Sequence, residues 1–148
     1  MAKFLLDTNI LSYLEDPSSL FHGSVKKKIS RLNDEDSLCI SILSIYELQY
    51  GLHKAEGKLR KSINKSLETA MKLPIIPLNL KGAAVFGELK SRHKTASRID
   101  VERHNFDFMI AGSAIAAGAV LVSNDKIFER IAELHEDFRL ENWAQERD

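Results

Sequence analysis

The chain has 148 residues, 44% of them apolar and 28% charged, with 21 Lys and Arg set against 21 Asp and Glu. That length supports one domain with its own core, and the composition excludes a disordered polyelectrolyte. A formal net charge of zero argues against a sequence-independent nucleic-acid binder working through bulk basicity, but leaves room for acids gathered in a site and basic residues around it.

In chain order, the unbroken apolar run Phe4-Leu5-Leu6 predicts a strand over Lys3–Leu6. Thr8 to about Glu15 predicts a short helix that ends before Pro17, and Ser24–Asn33 a second, basic one. A strand over Leu38–Ser41 precedes a helix over Leu43–Lys54, with Ile45, Leu48 and Leu52 at helical spacing. Gly57 interrupts. Lys58–Lys72 then carries the stripe Leu59, Ile63, Leu67 and Ala70/Met71. Ile75–Leu78 reads as a strand, Leu80 to about Lys94 as a helix, and Arg98–Asn105 as a polar linker. Phe106–Ala117 is apolar nearly all round, with Ala111, Gly112, Ala114 and Ala116 small enough for close approach to a sheet, and Gly118 is a stop signal. A strand over Ala119–Ser123, a helix over Lys126–Leu134 and a short strand over Phe138–Leu140 complete the series.

Strands that are apolar throughout are covered on both faces. Alternating with helices, they predict right-handed βαβ units in one domain over 1–148, with an open parallel sheet and a ligand site beyond the carboxyl ends of the strands.

Four acids fall near that edge or on apolar helices: Asp7, Glu47, Asp107 and Asp125. Singly, Asp7 and Asp125 read as helix caps, Asp107 as a charge favouring a helix N-terminus, and Glu47 as part of a solvated helix face. Glu47 resists that reading, because it lies inside a helix with small neighbours at Ser44 and Gly51. Converging carboxylates repel one another, and a hard divalent ion, Mg2+ or Mn2+, relieves the repulsion with oxygen ligands. Such an ion activates a water for in-line attack at phosphorus. The chemistry this predicts is phosphodiester hydrolysis.

The ordered set of motifs resembles PIN-domain ribonucleases, especially VapC-type toxins of toxin–antitoxin pairs. It comprises Phe4-Leu5-Leu6-Asp7-Thr8-Asn9, Ser41-Ile42-Leu43-Ser44-Ile45-Tyr46-Glu47-Leu48, Asp107-Phe108-Met109-Ile110-Ala111-Gly112-Ser113-Ala114, Leu121-Val122-Ser123-Asn124-Asp125, Phe128-Glu129-Arg130-Ile131 and Leu140-Glu141-Asn142-Trp143. The resemblance implies a three-layer α/β/α fold with a central parallel sheet and Mg2+- or Mn2+-dependent RNA cleavage. It assigns catalytic and metal-site roles to Asp7, Glu47, Asp107 and Asp125, and supporting hydrogen bonds to Asn9, Ser44 and Ser123. It also implies a homodimer and an antitoxin that blocks the site and brings the pair to operator DNA. Phe106 departs from the pattern, since many relatives carry asparagine immediately before the third acid.

Outside those motifs, Arg92, Lys94 and Arg98 precede the Asp107 region and are expected to contact RNA. The clusters Lys26–Lys28 and Lys58–Lys65 read as solvated faces. The five histidines lack metal-ligand spacing and read as surface or loop residues. Tyr46, Tyr50 and Trp143 suit either base stacking or packing. The lone Cys39, in an apolar run, reads as a buried reduced thiol and rules out an internal disulfide or thiolate zinc cluster. No apolar run is long enough to cross a bilayer, and Met1-Ala2-Lys3 enters a strand without a leader-like pattern, so a cytoplasmic protein is expected. The rival is a catalytically silent domain of the same fold, kept for binding.

Overall fold

The structure, a computed structural model, describes residues 1–145. Within them the strands are β1 (Lys3–Leu6), β2 (Ser37–Ser41), β3 (Ile75–Ile76), β4 (Val120–Val122) and β5 (Arg139–Glu141). The helices are α1 (Thr8–Glu15), α2 (His22–Ser30), α3 (Ile42–Lys54), α4 (Gly57–Met71), α5 (Leu80–Ala96), α6 (Asn105–Ala116) and α7 (Ile127–Ala132). The strands form one sheet in the order β3-β2-β1-β4-β5. Every pairing is parallel, with Leu5 level with Cys39 on one side and Leu121 on the other.

The apolar strands serve two cores because successive side chains leave opposite faces of a strand. Leu5, Cys39 and Leu121 pack with Leu89, Phe108, Phe128 and Ile131 from α5, α6 and α7. Phe4, Leu6, Ile40, Val120 and Val122 pack with Ile10, Val25, Leu48 and Leu67 from α1 to α4. The result is the expected three-layer α/β/α arrangement, with Cys39 buried in it.

Three details differ from the sequence reading. β3 stops at Ile76 rather than Leu78, because Pro77 has no N–H to extend the ladder. The Arg98–Asn105 linker is not simply polar, since it buries Ile99 and Val101 in the core beside Leu89 and Phe108. And Gly112 meets a helix rather than the sheet: a Cβ there would lie 3.0 Å from Phe86 N and 3.2 Å from Gly82 O, so α5 and α6 touch backbone to backbone. Ala111 and Ala114 do face the core that includes Leu5 and Leu121.

The connections deliver the acids to one edge. β1 runs directly into Asp7, whose N–H continues the ladder to Val122 O at 2.9 Å before its side chain starts α1. β2 passes into α3 with no loop, Ser41 capping the helix by accepting from Leu43 N. α6 feeds β4 through a tight turn at Gly118, which has φ 63°. Because the helix before a parallel strand runs back across the sheet, the N-terminus of α6 lies at the carboxyl edge.

Candidate active site

Asp7 is the centre of the site. The residue is buried, 8% exposed. Oδ1 accepts from Thr8 N at 2.9 Å and Oδ2 from Ser123 Oγ at 2.7 Å. Burial pushes its pKa up to about 6. The hydrogen bonds from Ser123 and Thr8 pull it back, and the charges of Glu47 and Asp125 push it up further. A buried carboxylate that keeps like charges nearby is costly for folding alone.

The two residues that donate to Asp7 also reach its acidic neighbours. Thr8 Oγ1 donates to Glu47 Oε1 at 2.6 Å, joining the start of α1 to the second turn of α3. Ser123 Oγ, besides donating to Asp7, accepts from Asp125 N at 3.0 Å. Asn9 Nδ2 donates to the same Ser123 oxygen at 3.4 Å, while Asn9 Oδ1 accepts from Asn124 N at 3.3 Å. Asn9 and Ser123 therefore support the site by hydrogen bonding as expected. Ser44 is buried in the first turn of α3, but among the described residues its side chain makes no hydrogen bond to these acids.

Asp107, in the first turn of α6, is held from another direction: His104 Nδ1 lies 2.9 Å from Asp107 Oδ2. Asp125 and Glu47 are exposed, and Asp125 Oδ1 accepts from Ile127 N at 3.2 Å at the entry to α7. Beside Glu47 opens a groove between α1, α3 and α4, lined by Thr8, Asn9, Ser12, Gly51 and Ser62 among others.

The donor set suits a hard cation in its chemistry: all four groups offer carboxylate oxygen, and the mutual repulsion felt at Asp7 is what a divalent ion relieves. As placed, the acids keep to protein donors. Among the described residues no three His, Cys, Asp or Glu side chains stand close enough together to ligate one ion.

Several other sequence expectations change here. Arg92 is exposed, and its guanidinium pairs with Glu88 and donates to Leu134 O. Lys94 and Arg98 are exposed and form no ion pair among the described residues. His93 is not a surface residue. It is fully buried, with Nε2 3.1 Å from Ile131 O and its ring 5.3 Å from Phe108. The signal was present, since His93 lies four residues after the buried Leu89 on the same helix face. Trp143 is in the core, its ring centroid 5.2 Å from that of Phe4, whereas Tyr46 and Tyr50 are each 68% exposed. The sequence expectations did not include Thr8, which is 39 positions from Glu47, or His104, although His104 stands at the helical i,i+3 spacing from Asp107.

A family model described as PIN domain matches residues 4–134. The chain belongs to the PIN-domain family. Its full-length relatives include the Ribonuclease VapC2 of Haemophilus influenzae, 33% identical over 97% of this chain and 100% of that protein. The tRNA(fMet)-specific endonuclease VapC of Shigella flexneri is 31% identical over 97% of this chain and 100% of that protein. Among solved structures, the VapBC2 complex of Rickettsia felis bound to a promoter DNA fragment superposes with a TM-score of 0.75 at 30% identity, covering 95% of this chain and 98% of that one. The PIN chain thus has VapC-type relatives along nearly its entire length. No helix among the described residues is long and apolar enough to cross a membrane.

Proposed function

We propose that this PIN protein is a Mg2+- or Mn2+-dependent endoribonuclease, the toxin of a toxin–antitoxin pair. The observation that carries the reading is Asp7: a buried carboxylate, its pKa raised to about 6, tied by Ser123 and Thr8 to a site that also holds Asp125 and Glu47. Capping α1 needs an acceptor oxygen but not a buried charge beside two other carboxylates, whereas cation binding uses that charge. Its VapC relatives are named as ribonucleases, which supports RNA as the substrate. Solved VapBC complexes, one on promoter DNA, support an antitoxin partner that carries the pair to operator DNA. A homodimer working in the cytoplasm belongs to the same reading.

Asp7, Glu47 and Asp107 would hold the ion, with Asp125 directly or through water. When bound, the ion supplies Lewis acidity, an acidified water and neutralisation of charge at the phosphoryl group. The chain's own residues do the rest. Ser123 and Thr8 N hold Asp7 in one orientation and keep it ionised near neutral pH. Thr8 fixes Glu47 across the mouth of the site. Arg92, Lys94 and Arg98, all exposed, are the cations that would meet RNA near the scissile bond.

The test is the chemistry of the cut ends. Incubation of a mixed RNA substrate with the protein and manganese is expected to yield 5′-phosphate and 3′-hydroxyl termini, and Asp7→Asn to abolish cleavage. A 2′,3′-cyclic phosphate product would reject attack by water. The rival, a silent PIN module, draws on the separation of the acids as placed, and it predicts no manganese-dependent cleavage of any RNA.

A further inference from the structure

We propose that His104 is a positioning residue for Asp107, fixing one carboxylate oxygen by a hydrogen bond and leaving the other for a cation. This inference rests on the nuclease reading above. His104 occupies the N-cap of α6 with φ −107° and ψ 21°, yet its side chain makes no capping hydrogen bond to the helix. Instead Nδ1 approaches Asp107 Oδ2 at 2.9 Å, one turn along. An ionised carboxylate only accepts, so Nδ1 carries the shared proton.

The pair is neither a loose surface contact nor a solvated accident. Both side chains are about three-quarters covered, 28% and 24% exposed, and partial exclusion of water strengthens a hydrogen bond to an ionised group. The backbone beneath is braced: His104 N donates to Asp100 O at 3.2 Å, and His104 O accepts from Phe108 N at 3.0 Å. Phe108 is fully buried in the core with Leu5 and Leu121. The imidazole therefore stands on a fixed platform tied to the strands that carry Asp7 and Asp125.

The same device recurs at each acid. Thr8 Oγ1 holds one oxygen of Glu47, Thr8 N and Ser123 Oγ the two oxygens of Asp7, and Ile127 N one oxygen of Asp125. His104 does this for Asp107, whose Oδ1 takes no hydrogen bond among the described residues and is left for a ligand. Partners that orient metal-binding groups typically affect affinity or activity by about 10- to 100-fold.

The experiment titrates manganese chloride into the full chain and follows melting temperature, with RNA cleavage kinetics measured in parallel. His104→Ala is expected to need about 10-fold more manganese for half-maximal stabilisation and to lose kcat by a similar factor with KM for RNA unchanged. His104→Asn, whose amide N–H falls near the Nδ1 position, is expected to restore both, and His104→Gln, whose donor falls near Nε2, to restore neither. A purely structural role would lower the metal-free melting temperature of His104→Ala and leave its manganese midpoint unmoved, which overturns the inference. Where His104→Ala does not fold, equal behaviour of the Asn and Gln variants overturns it. Asp107→Asn separates the two levels. If it keeps the wild-type manganese midpoint and cleavage, Asp107 is no ligand and the nuclease reading loses its third acid. If it loses both while His104→Ala is silent, only the role of His104 falls.

Discussion

Ser123 Oγ donates to Asp7 Oδ2 at 2.7 Å, a hydrogen bond between residues 116 positions apart that joins the ends of the two central strands. It is also the largest influence lowering the proton affinity of a carboxylate that burial raises. Removing it should be felt in the site before it is felt in the fold. In Ser123→Ala, Asp7 loses a donor and Asp125 N loses its acceptor. The pH at which RNA cleavage reaches half its plateau is expected to move upward, with a stability loss of about 1–3 kcal/mol for the unpaired groups. A pH–rate profile superimposable on the wild type would contradict this role for Ser123.

Asp7 itself should make the metal-free protein sensitive to pH in a direction opposite to that of most acids. Its pKa is about 6 folded against 3.8 unfolded, so between these values the folded state holds a proton that the unfolded state has lost. Stability from this group therefore falls as pH rises from about 4 to 6 and stays low above that, by on the order of 3 kcal/mol. Asp7→Asn keeps the helix cap and removes the charge. Without divalent ions it is expected to melt above the wild type at pH 7.5 and to lose that advantage near pH 4. Urea unfolding at the two pH values checks it, and a variant less stable than wild type at pH 7.5 would count against a strained carboxylate.

The α5–α6 contact gives a paired prediction about packing. Gly112→Ala places a Cβ 3.0 Å from Phe86 N, where backbone and not a flexible side chain must yield, and is expected to cost about 1–3 kcal/mol. Gly87→Ala, on the exposed side of α5 with nothing within 4 Å of the new Cβ, is expected to stabilise by about 0.5–1 kcal/mol. Thermal melts of both variants test the two signs together.

Trp143 is the only tryptophan in the chain and is 2% exposed, with Nε1 donating to Glu141 Oε1 at 3.0 Å. Its fluorescence is expected to be blue-shifted in the native state, to shift red on unfolding, and to stay constant as RNA saturates the protein. Quenching by RNA that parallels binding would place the indole at the interface instead of the core.

These outcomes differ in how far they were legible in the sequence. β1 and α1 appear with the expected bounds, Lys3–Leu6 and Thr8–Glu15, because a continuous apolar run, an aspartate cap and a following proline act over a few residues. The positions of Asp7 and Asp125 just past the ends of β1 and β4 were legible too, since they follow from the alternation of strands and helices. What spans many positions was not. The Thr8–Glu47 hydrogen bond crosses 39 residues, and no local rule marks Thr8 as the partner of Glu47. Arg92 and His93 look alike in a basic stretch, yet one salt-bridges on the surface and the other is sealed beneath α7. Only the rotation of α5 against its neighbours decides which is which. The separation of the four carboxylates depends on side-chain rotamers and on which hydroxyl takes each oxygen, below the resolution of any spacing argument.

The most direct measurement of the central claim is the melting temperature of the full chain against manganese concentration, wild type beside Asp7→Asn. The account predicts a saturable rise for the wild type, worth about 2.7 kcal/mol once manganese reaches 100 times its dissociation constant, and none for Asp7→Asn. A wild-type melting temperature indifferent to manganese, or an equal rise in the variant, would contradict a cation site built on Asp7.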